Sequence, residues 1–201
     1  MSFPSSKTGA SPPPPPPPAA RQTPANSQAP KPPVVPATGP AGAFMVELLV
    51  YNGAPFKDHW AYWVRSHEDP DIGVLMHAAG DVRNGFKFEV RRSHDFRVTG
   101  NRPTKRIPLQ WVGKEYFDEK AMLNCGKYKT DHIPACVFEA SAHKVKAPEK
   151  TLKAVDDKVT PVGKKITQRN CQTWIIESAD QLVSDRIFSR EVAAYLHAIR
   201  Q

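Results

Sequence analysis

The chain has 201 residues, with 21 prolines, three cysteines and a formal net charge of +8. No apolar run nears the roughly 20 residues that a membrane-spanning helix needs, and three cysteines without CxxC spacing argue against a disulfide framework. With no apolar leader at the N-terminus, a protein of the cytoplasm, or of cytoplasm and nucleus, is expected, without a transmembrane anchor.

Residues 1–42 carry 14 of the prolines, including the unbroken run Pro12–Pro18, and no Asp or Glu. Such a segment cannot bury enough surface to offset the entropy of ordering, so a disordered proline-rich tail with polyproline II character is expected. Residues 43–201 then form a single domain with room for a sizeable core. Lys7, Arg21 and Lys31 give the tail +3 and leave the domain +5. That excess is too small for a dedicated nucleic-acid binder, and the densest basic stretch, Lys144–Arg169, lacks the interleaved aromatics on which bases stack.

The domain opens with an apolar run, Ala43–Tyr51, that ends in the turn signal Asn52-Gly53 and reads as a strand. His59–Arg65 (HWAYWVR) has apolar residues on both faces, which predicts a central strand covered on both sides. Ile72–Ala79 is the next strand, and Gly80–Gly85 a turn. Phe86–Arg92 alternates, with Phe86, Phe88 and Val90 inward and Lys87, Glu89 and Arg91 outward. Lys105–Val112 is a further strand, which Pro108 pushes to an edge or a bulge. Ile133–Ala140 reads as another strand, and 144–169 as a loop with one helical turn near 149–154. Cys171–Val183 then shows helical spacing behind the N-cap Asn170, and Ser189–Arg200 repeats the pattern with Ser189 as cap. The expected fold is α+β: an antiparallel sheet packed against C-terminal helices.

Three residues stand out chemically. Cys171 falls in the first turn of a helix, where free N–H groups and the dipole favour a thiolate, so a lowered thiol pKa is expected. His59 opens one strand and His77 lies near the end of the next. A hairpin over Ser66–Pro70 pairs residues whose numbers sum to 136, which sets His59 opposite His77 on one face. A thiol at a helix start needs a nearby imidazole as base, and that imidazole needs a partner to fix its tautomer. His59 as base, His77 as orienting group and Cys171 as nucleophile fill these roles without a cofactor. A His2Cys metal centre is a competing reading, but the three lack the clustered spacing and fourth ligand of a structural zinc site. His67, His94, His132, His143 and His197 read as bystanders in loops or exposed positions.

The segments Asp58-His59-Trp60-Ala61-Tyr62-Trp63-Val64, Val74-Leu75-Met76-His77 and Asn170-Cys171-Gln172-Thr173-Trp174 resemble the circularly permuted papain-like cysteine enzymes. Within them the similarity is to the lecithin retinol acyltransferase and H-Ras-like suppressor phospholipase/acyltransferase group. The resemblance implies an NlpC-type permuted topology, a Cys171 thioester, His59 as general base and His77 as third triad member. It points to a small-molecule or lipid-like acyl substrate, or a modified protein. The family's Glu-His after the cysteine is Gln172-Thr173 here, and Asn-Cys-Gln-Thr-Trp is also similar to the permuted desumoylating isopeptidases, which implies a deubiquitinase-like protease as the alternative. A third reading is a catalytically inactive interaction module whose tail docks on a proline-recognition domain.

Overall fold

The computed structural model describes residues 29–150 and 169–201. Most of the expected tail, and most of the basic loop with its expected helical turn, lie outside the described residues. Residues 29–42 hold no helix or strand. Their last part is tied to the domain, because Trp111 Nε1 donates to the Pro36 carbonyl at 2.9 Å.

Six antiparallel strands form one sheet in the order β5-β1-β2-β3-β4-β6. They are β1 (Phe44–Tyr51), β2 (His59–Arg65), β3 (Ile72–Asp81), β4 (Gly85–Asp95), β5 (Lys105–Val112) and β6 (Lys129–Asp131). Strand β2 is central, as its two apolar faces predict. Trp60, Tyr62 and Val64 enter the main core, while Ala61 and Trp63 join Leu49, Tyr51, Leu75 and Phe96 in a smaller cluster on the opposite face. Strand β5 is an edge, and its register against β1 slips where Val46 meets Gln110 and Glu47 meets Pro108. A proline cannot donate to the ladder, so an edge with a bulge is where it is tolerated.

The α-helices among the described residues are α1 (Glu119–Met122), which precedes β6, and α2 (Val137–His143), α3 (Cys171–Ser184) and α4 (Arg190–Ala198), which follow it. Helix α3 buries Trp174, Ile175, Ala179 and Leu182 against the sheet, and α4 adds Val192 and Leu196 to the same core. Asn170 caps α3 as its sequence predicts. Its side chain accepts from Thr173 N, and the Thr173 hydroxyl in turn lies by the Asn170 backbone N–H in a reciprocal capping box. Ser189 likewise accepts from Val192 N at the start of α4.

Two expectations are corrected. Ile133–Ala140 is not a strand: α2 begins at Val137, and the strand pairing with β4 is the short β6. The cause is an ion pair that apolar periodicity does not reveal. Arg92, 2% exposed, donates from both terminal nitrogens to the Glu139 carboxylate at 3.0 Å, and Glu139 also accepts from Ala135 N at 2.7 Å. Satisfying a buried guanidinium requires this geometry, and it fixes Glu139 inward with Phe138 and Ala142 at helical spacing.

The β2–β3 hairpin is the second correction. The pairs Trp63↔Leu75 and Arg65↔Gly73 sum to 138 rather than 136. Asp69 shapes the turn, taking Asp71 N on its carboxylate and Ile72 N on its carbonyl, while the Asp71 carbonyl accepts from Phe96 N. Asp71 is therefore drawn towards the end of β4, and Ser66 N closes the hairpin on Ile72 O at 2.9 Å. A shift of two residues along one strand keeps every side chain on its face.

Candidate active site where β2 and α3 begin

His59 and His77 lie on the sheet face turned away from the helices, diagonal to one another in the observed register. Their rings meet directly, with His59 Nε2 and His77 Nδ1 2.6 Å apart. His77, 7% exposed, places its Nε2 3.1 Å from Glu89 Oε1, and Arg91 Nε donates to the same oxygen at 2.8 Å. The His77 hydrogen bond, opposed by burial and reinforced by Arg91, holds the Glu89 carboxyl down to about 2, so it is an ionised acceptor at neutral pH. Burial, followed by the charges of His77 and Arg91, holds the His59 imidazole down to about 4.

These contacts assign the protons. An ionised Glu89 can only accept, so His77 donates from Nε2. In the neutral pair, His77 Nδ1 then carries a lone pair and accepts from His59 Nε2–H. That leaves His59 Nδ1 unprotonated, and it has no hydrogen-bond partner among the described residues. A neutral imidazole with a bare nitrogen is the form that a general base needs.

Cys171 opens α3 on the other face of the sheet and approaches at the end of β2. The backbone N–H groups of Trp60, Gln172 and Cys171 itself bear on its sulfur. Trp60 follows His59 directly. On the other side of His59, Gln172 Nε2 donates to the Asp58 carbonyl at 2.9 Å. Neighbouring residues on α3 therefore grip the residues flanking His59. Among the described residues, no hydrogen bond joins Cys171 to His59 or His77.

The expected lowering of the thiol pKa is reversed. Burial raises it, and the three N–H groups only partly offset that. Cys171 is 7% exposed, so as a thiolate its sulfur would carry a charge with little water to solvate it. The resting site therefore pairs a neutral thiol with a neutral imidazole. Of the other cysteines, Cys136 is pushed up to about 12 by burial and then by Glu139, and Cys125 is exposed.

Some of the site was not foreseen. Glu89 was expected to point outward from the core, but the outward face of β4 is the face that carries His77. The ladder pair His77↔Glu89 is the signal that would have found it. The chain's last residue is also part of the site. Gln201 accepts from Asp58 N (2.8 Å) and donates from Nε2 to the Asp58 carboxylate (2.9 Å), while its own N–H reaches Gln172 Oε1 at 3.1 Å. His94 is no exposed bystander: it ends up in β4 at 5% exposure. Among the described residues no three His, Cys, Asp or Glu side chains are placed to hold a metal ion, so the His2Cys reading has no ligand cluster behind it. No described helix is long and apolar enough to cross a membrane.

Residues 46–189 match a family described as a family of unknown function (DUF6540). No curated protein and no solved structure matches the chain.

Proposed function

The chain belongs to that family, and we propose that it is a cysteine-dependent hydrolase or acyltransferase with the topology of the circularly permuted papain-like enzymes. The observation that carries this reading is the chain of contacts Glu89–His77–His59, which ends in a bare His59 Nδ1 one residue from the backbone N–H that bears on Cys171. Strand, strand and helix start follow one another in the order His59, His77, Cys171.

In this reading the Cys171 thiol, on the helix face, gives its proton to His59 Nδ1, on the other face, around the start of β2 as the sulfur attacks an acyl carbonyl. A raised thiol pKa makes this a general-base step rather than attack by a standing thiolate. The N–H groups at the start of α3, with that of Trp60, are the donors available for the oxyanion. Collapse of the tetrahedral species expels the alcohol, amine or thiol, which takes the proton back from His59 and leaves a thioester on Cys171. Water or an acceptor then attacks the thioester with His59 again as base. An ester, amide or thioester substrate, small, lipid-like or attached to a protein, is consistent with this chemistry.

Intact-mass analysis after incubation with a panel of activated esters tests the reading, using a Cys125→Ser background to remove the exposed thiol. One acyl adduct should form on Cys171, and His59→Ala should slow its appearance by roughly 100-fold or more. Acylation that does not depend on His59 would overturn the reading. A second reading, a non-catalytic interaction module on the same fold, is favoured by the burial of the thiol and the lack of a hydrogen bond from it to either imidazole. Failure of every ester to acylate a folded protein would favour that module.

A further inference from the structure

The sheet face that carries His59 and His77 holds a separate cavity of about 400 Å³, walled by Arg91, His94, Val98, Thr99 and Tyr128, with Ser93 and Asp95 completing it. His94 is 5% exposed, yet neither of its ring nitrogens has a hydrogen-bond partner among the described residues. The ring nitrogens of His94 are not sealed off without a partner, so they keep contact with the solvent that fills the cavity, where a ligand can take its place. Burial, and then the nearby Arg91, keeps that imidazole neutral, with one donor and one acceptor nitrogen.

Arg91 supplies the charge. Its Nε is taken by Glu89, and its two terminal nitrogens have no partner among the described residues, which leaves the end-on fork free. That fork matches the two oxygens of a planar carboxylate. The other polar groups of the lining are already engaged. The Asp95 carboxylate is held by Arg97 at 2.9 Å, and the Ser93 hydroxyl donates to the Leu123 carbonyl. With Arg91 shared with Glu89 and the Asp95 carboxylate in the wall, one guanidinium fork is left to face an anion, which supports a monoanion better than a phosphate dianion. Val98 and Tyr128, 82% and 60% exposed, give the rim an apolar surface next to the fork.

We propose that this cavity binds a small monocarboxylate, its carboxylate on the Arg91 fork and His94 and its apolar or aromatic body against Val98 and Tyr128. Nothing in the proposal depends on acylation of Cys171. Its consequence for the candidate site is direct, because the same guanidinium holds Glu89 and hence the His77–His59 pair.

Titration with benzoate, followed by NMR of the His94 ring proton, tests it. The His94→Gln variant identifies the resonance. The expected result is a saturable shift with benzoate and none with inorganic phosphate or benzyl alcohol at equal concentration. Arg91→Ala should weaken benzoate at least tenfold. Val98→Glu places a repelling charge at the exposed rim without touching the core, and should do the same. No saturable shift in the native protein, benzoate binding undiminished in both variants, or equal binding of phosphate would overturn the proposal.

Discussion

Replacing His59 by Gln should change how the stability of the protein depends on pH. The imidazole is held at about 4 in the fold, against an ordinary 6.5, chiefly by burial. Between those values the unfolded chain takes up a proton that the folded protein refuses. The stability that His59 contributes is therefore whole above about pH 6.5 and is lost as the pH falls towards 4. Integrated from pH 7 to pH 5, the loss is about 2 kcal/mol, trimmed by the partial exposure of the ring. In a domain of this size that is about 4–8 °C in Tm. Thermal unfolding of the native protein and of His59→Gln at pH 7, 6 and 5 measures it. Glu89 titrates below this window, and His94 is common to both proteins, so the difference between the two curves isolates His59. The native protein should lose more stability than the variant across the window by that amount. Parallel curves would refute both the neutral His59 and the general-base step that needs it.

Glu139→Ala should destabilise the fold by about 3 kcal/mol in denaturant titration, because it removes the two-oxygen partner of the buried Arg92 guanidinium and leaves it only Asp131 and two backbone carbonyls. The double substitution Arg92→Met with Glu139→Leu should recover much of that loss. Asn170→Ala removes the α3 cap at a cost of about 1 kcal/mol, and should also slow acylation of Cys171, whereas Asn170→Ser should retain both properties.

The strands and their order of burial were largely legible because local pattern decides them. His59–Arg65 and Lys105–Val112 have the same ends in sequence and structure, and the caps Asn170 and Ser189 act where their side chains predict. What pattern could not reach was set by partners distant in sequence. Ile133–Ala140 is a mostly apolar run that suits a strand, yet Glu139, held by Arg92 47 residues before it, lies in a helix. The hairpin register depended on how the Asp69 turn shares its backbone groups, and the shift of two residues left the His59–His77 contact intact only because faces repeat every second residue. The thiol was misjudged for a related reason. Its place at a helix start is local and visible, whereas its burial in the main core is a tertiary effect that outweighs the helix end.

Gln201 ties Asp58 and Gln172 together, and Lys57 Nζ donates to its carbonyl at 2.5 Å. An affinity handle fused after this residue would have its first peptide bond pressed against the segment that leads into His59. Handles are better placed at the proline-rich end, far along the chain from that contact. A preparation tagged after Gln201 that failed to acylate would report on a disturbed corner of the protein, and would leave the chemistry of Cys171 unjudged.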